Sequence, residues 1–329
     1  MMDYDAFVEA VKFSVQSYID EESNLEGYTA KFTNVPKVNG EREAILLEKS
    51  EGDLTPALYF DNLYENYVRS GDIKVTLSSI ISSVAQDLTE YSEVSPFESI
   101  DFTDKSRIFF QLINTESNQG LLNSCPHTDF NDLSLIYRYY VSDIDGMTSS
   151  VLITNDNMKA FKVDKDELYD LAYRNTKELF PPKLMSMRDV LVELMRADGT
   201  PDEMIDMMFP TDAPEMYVIS NDKQFNGAVS VLYTDELSKL ADEKECDFAI
   251  LPSSVHEVIA VPVAINSLSI EEMADMVHTI NMGVVSEKDR LSNQVYLFDR
   301  ESKKINLASD SQYKSINDDI DSPNKSFSL

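Results

Sequence analysis

The sequence predicts an α+β protein with mixed or antiparallel sheets and flanking helices. Three observations lead there. The run Met216–Pro262 is the densest in β-branched residues and reads strand, turn, strand, helix, strand, turn, strand. Residues 1–90 read helix, hairpin, helix, helix. A strand–helix pattern in residues 152–172 is echoed in residues 218–241.

Residues 3–22 place Phe7, Val11, Val15 and Tyr18 at helical spacing, with Asp3 and Asp5 near the positive helix start. YTAKFTNVPKVNG and EREAILLEK follow as two extended segments, and Asn39-Gly40 between them is a hairpin signal. TPALYFDNLYENYVRSG is a helix stopped by Gly71, and residues 73–91 form another, with Leu77, Ile80, Ile81, Val84 and Leu88 on one side. The polar stretch 92–106 marks a boundary, giving an N-terminal helix–hairpin–helix unit over 1–92 and a C-terminal α+β region over 93–310.

In the second region RIFFQLIN is a strand, TESNQGLL a turn or short helix, and NSCPHTDFND a loop rich in Asx-turn formers. LSLIYRYYVSD is an aromatic strand closed by Asp145-Gly146. The echo pairs LITND at 152–156 with VISND at 218–222, each followed by DELxxLA. Two related modules, at about 107–180 and 181–300, would leave this trace, and so would one common recipe used twice.

FPPK (180–183) breaks the chain, and a helix from Met187 to Met195 follows. Thr200-Pro201-Asp202-Glu203 then opens a further helix. Its Met204, Met207 and Met208 are expected to fill core gaps, with a methionine-rich binding surface as the alternative. Ser269 and Glu272 form a capping box for a helix that Gly283 stops, and Gln294–Phe298 is a last strand. From Glu301 the chain turns rich in Ser, Asn, Asp and Lys and is expected to be disordered or loosely attached, ending in a polar tail over 311–329.

Composition excludes several classes. Asp and Glu number 59 against 28 Lys and Arg, a net charge of −31, which repels phosphate backbones and anionic lipid. Direct nucleic-acid or membrane binding is therefore not expected. The charge serves solubility, or attracts a basic partner by imitating DNA phosphates. Cys125 and Cys246 lack metal or disulfide spacing, so a reduced cytoplasmic protein is expected. MMDYDAFVEAVKF lacks a basic and then apolar leader, and no apolar run reaches spanning length. With nine glycines and no GxGxxG or GxxxxGK[ST], a backbone phosphate cradle is not expected.

PSSVHEV is the best local site. On a strand, Ser254 and His256 would share a face and Glu257 the other. A serine and histidine within reach could make a nucleophile–base pair, but no GxSxG elbow or third member accompanies them. Ser253, Ser254, His256 and Glu257, with Asn221 and Asn155 from the echoed turns, are the candidate ligand or partner contacts. No catalytic residue, metal or cofactor is assigned. His127, His256 and His278 show no ligand spacing.

QLIN, NQGLLNSCPH, DLSLIYRYYV and LITN, with MYVISN, ILPSSVHEVIAVPV and LSNQVYLFD, resemble an uncharacterised family of anaerobic gut bacteria, a domain of unknown function often on mobile or accessory DNA. The similarity spans nearly the whole chain except the C-terminal tail, and Pro252–Glu257 and Leu291–Asn293 are its most specific elements. The resemblance implies an accessory bacterial protein and brings no activity, cofactor or catalytic residue. The expected function is a non-catalytic cytoplasmic binding or regulatory protein, its partner another protein, a basic one being the complement to its charge. The alternatives are an acidic decoy that mimics DNA and a hydrolase using Ser254 and His256.

Overall fold

The computed structural model describes residues 1–49, 57–90, 104–144, 147–208, 215–252, 254–263 and 269–310. The chain divides into two compact units, Met1–Asp101 and Phe102–Leu329. The boundary expected at residue 92, the Asp145-Gly146 turn and the tail from residue 311 lie outside the described residues.

In the first unit, α1 (Tyr4–Glu21) begins at Asp3, whose carboxylate accepts from the Ala6 amide at 2.8 Å. Its buried stripe is Phe7, Val11, Val15 and Ile19, every fourth residue. Strands β1 (Thr29–Lys37) and β2 (Gly40–Glu48) pair from Thr29↔Glu48 to Lys37↔Gly40. The hairpin turn is thus Val38-Asn39, one residue before the expected pair, because Asn39 itself takes the left-handed backbone at φ 60°. The short β3 (Leu58–Tyr59) joins β2 and runs into α2 (Phe60–Ser70). Gly71, at φ 71°, ends α2 and donates its amide to Tyr67 O at 2.8 Å. After α3 (Ile73–Glu90), Phe7, Ile45, Leu47, Phe60, Leu63, Leu77 and Ile81 close one core.

The second unit holds two antiparallel sheets. Strand β4 (Ile108–Asn114) precedes a short helix, α4 (Gln119–Leu122). Then come β5 (His127–Phe130), β6 (Leu133–Ile144) and β7 (Met147–Leu152). β4 pairs with β6 along Leu133–Tyr139, so β5 and β7 share the opposite edge of β6. The expected loop NSCPHTDFND therefore contains a strand: its Asx formers make the turn at Asn131, φ 56°, while residues 127–130 are zipped onto β6. Cys125, just before it, is buried, and burial pushes its thiol up to about 11, so it stays protonated and inert.

α5 (Asn155–Phe161) and α6 (Lys165–Leu179) follow. α6 covers the outer edge of β4: the Phe110 amide donates to Thr176 Oγ1 at 2.9 Å, and Asn175 Nδ2 donates to Ile108 O at 3.0 Å. Next come β8 (Pro182–Ser186), α7 (Met187–Ala197), α8 (Asp202–Met208) and β9 (Tyr217–Asn221). A 3₁₀ segment (Gly227–Leu232), α9 (Asp235–Lys244), β10 (Phe248–Leu251), β11 (Val258–Pro262), α10 (Ile270–Gly283), β12 (Tyr296–Asp299) and β13 (Lys304–Leu307) complete the unit. The second sheet has the order β13-β12-β10-β11-β9-β8.

Three readings change here. GAVSVLY is a 3₁₀ helix and not a strand: Gly227–Val231 are all buried, so its apolar residues serve no single face. FPPK does not only break the chain, since Pro182 starts β8 at the sheet edge, where a missing amide costs no ladder bond. And the chain beyond Glu301 still supplies β13. The two DELxxLA copies do match as helices, burying Leu168 and Ala172 on α6 and Leu237 and Ala241 on α9. Their preceding turns differ: Thr154 caps α5, whereas Ser220 and Asn221 lie inside β9.

Among the described residues no helix is long and apolar enough to cross a membrane.

Candidate functional site

Residues 254–257 bend before β11 begins at Val258, so Ser254 and His256 do not alternate along a strand as expected. Ser254 forms an isolated bridge with Arg290, and the Val255 amide donates to Asp289 O at 2.8 Å. Ser254 is 5% exposed, and its Oγ accepts from the His256 amide at 3.0 Å. The hydroxyl thus closes a local turn, the usual structural task of a serine in such a loop. Among the described residues its partner is that amide and not the imidazole.

His256 stands half-exposed with Nε2 3.6 Å from Asp289 Oδ1, too long for a hydrogen bond and close enough for an ion pair when the ring is protonated. Its Nδ1 is buried and has no hydrogen-bond partner among the described residues. Its carbonyl accepts from Ser220 Oγ at 2.8 Å. Glu257 is partly exposed beside it, and Ser253 lies outside the described residues.

Asn221 is 1% exposed and wholly engaged. Its Oδ1 accepts from Lys223 N at 3.0 Å and Phe225 N at 3.3 Å, and its Nδ2 donates to Phe225 O at 2.8 Å. It shapes the 222–226 loop. Asn155 is on α5, where Nδ2 donates to Asn123 O at 3.3 Å. The structure therefore brings Asn221, at the end of β9, near the turn that holds Ser254 and His256, and leaves Asn155 on α5 beside Asn123.

Two residues that sequence reasoning passed over organise this corner. Gly227 begins the 3₁₀ segment against β9 and the His256 turn; a Cβ there would lie 2.2 Å from Ser220 Oγ, 2.4 Å from His256 O and 3.1 Å from Asn221 N. Asp132, in the turn between β5 and β6, accepts from Ser292 Oγ at 2.7 Å and from Tyr296 OH. Asn114 Nδ2 adds a bond to Leu291 O at 2.9 Å, so the LSN segment fastens the two sheets together.

Burial, then the charge and hydrogen bond of Asp132, hold the Tyr296 phenol well above the usual value. The folded state keeps a proton that the unfolded chain gives up near pH 10. This contribution is whole below pH 10 and shrinks as pH climbs further. Urea midpoints between pH 9 and 11.5 are expected to fall less steeply for Tyr296→Phe than for the wild type; parallel slopes would show the phenol is not so held.

A hollow among the described residues lies elsewhere on the same sheet. It has a volume of about 230 Å³, with Leu184, Ile219, Val231 and Leu237 as its apolar lining. Lys177, Lys183, Asp235 and Glu236 also line it. Lys177 pairs with Asp235 at 3.1 Å and Lys183 with Asp222 at 2.8 Å, both pairs exposed. Tyr233 on its wall donates its hydroxyl to Tyr173 O at 2.7 Å, and burial raises its phenol far above the ordinary range. The hollow is smaller than the roughly 300–1,000 Å³ of a drug-sized site. No histidine or cysteine lines it, and Ser230 there is 2% exposed.

The sequence signals that could have located it are modest: Pro181-Pro182 fixing the strand entry, and Lys177 and Lys183 close together in a strongly acidic chain. No three of His, Cys, Asp and Glu among the described residues gather as a metal site. No curated protein and no solved structure matches the chain. Residues 4–300 do match the model of a family of unknown function, DUF5688, and the chain belongs to that family.

Proposed function

We propose that this is a non-catalytic binding or regulatory protein of the cytoplasm that engages another protein through its C-terminal unit. The supporting observation is the division of labour just described. The Ser254 hydroxyl and the Asn221 side chain are spent on turns, while an apolar hollow with a charged rim stays open at the β8 side of the sheet. A partner side chain would enter between Leu184 and Leu237, and the half-exposed His256 and Glu257 offer a separate polar contact. The net charge of −31 favours a partner with basic residues around that side chain.

The test is a photo-crosslinking residue at Lys183 in the full chain, expressed in its native host, with Leu184→Arg as the control. A discrete cross-linked protein is expected, and Leu184→Arg should abolish it. Absence of any such product, or ester, peptide or phosphoester turnover that Ser254→Ala removes, would end this assignment. The −31 charge also supports an acidic decoy as a second possibility. In that case the captured partner would be a nucleic-acid-binding protein, displaced by DNA and released steeply as salt rises.

A further inference from the structure

The corner formed by α7 and α8 carries several exposed apolar side chains. Gly199, at φ 80°, turns the chain between the helices, and Arg196 Nε reaches Asp202 Oδ1 at 2.8 Å across the turn. Ile205 anchors α8 at 1% exposure. The methionines beside it were expected in the core, yet Met204, Met207 and Met208 are 55%, 85% and 56% exposed. Their i, i+3, i+4 spacing places them on one helical face. Leu194 on α7 is 59% exposed as well.

We infer that this face is a docking surface for a basic amphipathic helix of another protein. Thioethers on flexible stems adapt to varied apolar partners, and single exposed residues need no explanation, but three methionines on one short helix form a patch. The charge around it selects the occupant. Residues 187–208 contain six acidic side chains against two basic ones, and Glu193, Asp198 and Glu203 are exposed. A helix presents apolar residues at matching spacing and carries its lysines on the flanks, where they meet those carboxylates. This surface is separate from the residues that line the hollow, and it stands whether or not the hollow is occupied.

The experiment uses the full chain and a fluorescent 18-residue peptide of Leu and Lys arranged with helical period. Binding in the micromolar range is expected at physiological salt. The triple variant Met204→Gln, Met207→Gln, Met208→Gln should weaken it about tenfold or more while melting like the wild type, since these side chains are exposed. A scrambled peptide of the same composition should lose as much, and a Leu/Glu helix should not bind. Leu184→Arg should bind the peptide normally, which keeps this result distinct from the fate of the hollow. Undetectable binding, or equal binding by the triple variant or by the scrambled peptide, overturns the proposal. So does a dimer in sedimentation that the triple variant converts to monomer, because the occupant would then be a second copy of this chain.

Discussion

Gly227→Ala is expected to cost about 3 kcal/mol, the upper part of the range for overpacking a tight interior. One of the two atoms its methyl would strike is a backbone oxygen, His256 O, at 2.4 Å, and backbone cannot swing aside as a side-chain tip can. For a unit of this size the melting temperature should drop by about 10 °C. Ser220→Ala in the same chain removes the other obstacle, at 2.2 Å, so the double variant should recover only part of the loss. Gly120→Ala is the control: nothing lies within 4 Å of its Cβ position, and its effect should stay within about 0.5 kcal/mol. Urea titration of the three variants checks the series. A Gly227→Ala protein as stable as the wild type would mean that the 3₁₀ segment is not wedged against the His256 turn.

Asp132→Ala is expected to be nearly as damaging, at about 3 kcal/mol, because it strands two donors at once. Tyr296 is 1% exposed and Ser292 is 3% exposed, so neither hydroxyl can turn to bulk water when the carboxylate goes. Asp132→Asn keeps one acceptor oxygen and adds a donor that Ser292 Oγ can accept, and should lose about 1 kcal/mol. The ordering Ala worse than Asn is the diagnostic result in denaturant midpoints. Equal losses would point to the charge of Asp132 and not to its hydrogen bonds, and no loss from either would dissolve the proposed fastening of the sheets.

Features written in adjacent residues were legible. Asp3 at the start of α1, Gly71 at the end of α2, and Ser269 with Glu272 at α10 each act within four residues, and each is seen in place. The α+β class followed from such signals. Features set by distant packing were not. GAVSVLY has the composition of a strand, but Asn226 at φ 50° and Gly227 turn it into a 3₁₀ wedge between β9 and the 254–256 turn. HTDF looks like loop until β6 supplies its ladder. At the candidate site, the serine of PSSVHEV and the nearby Asn221 owe their place to turn geometry, which the sequence alone did not disclose. The hollow left only modest traces in the sequence, since Lys177, Leu184, Ile219 and Leu237 come from four elements.

One detail of the second sheet bears on how the chain should be handled. The segment shared with the family closes at residue 300, while the outermost strand, β13, occupies Lys304–Leu307 and pairs along β12 from Tyr296 to Asp299. A chain trimmed to the shared segment would bare the β12 edge, with its aromatic Tyr296 and Phe298, as a template for intermolecular strand addition. In the full chain the four residues of β13 cover that edge of β12.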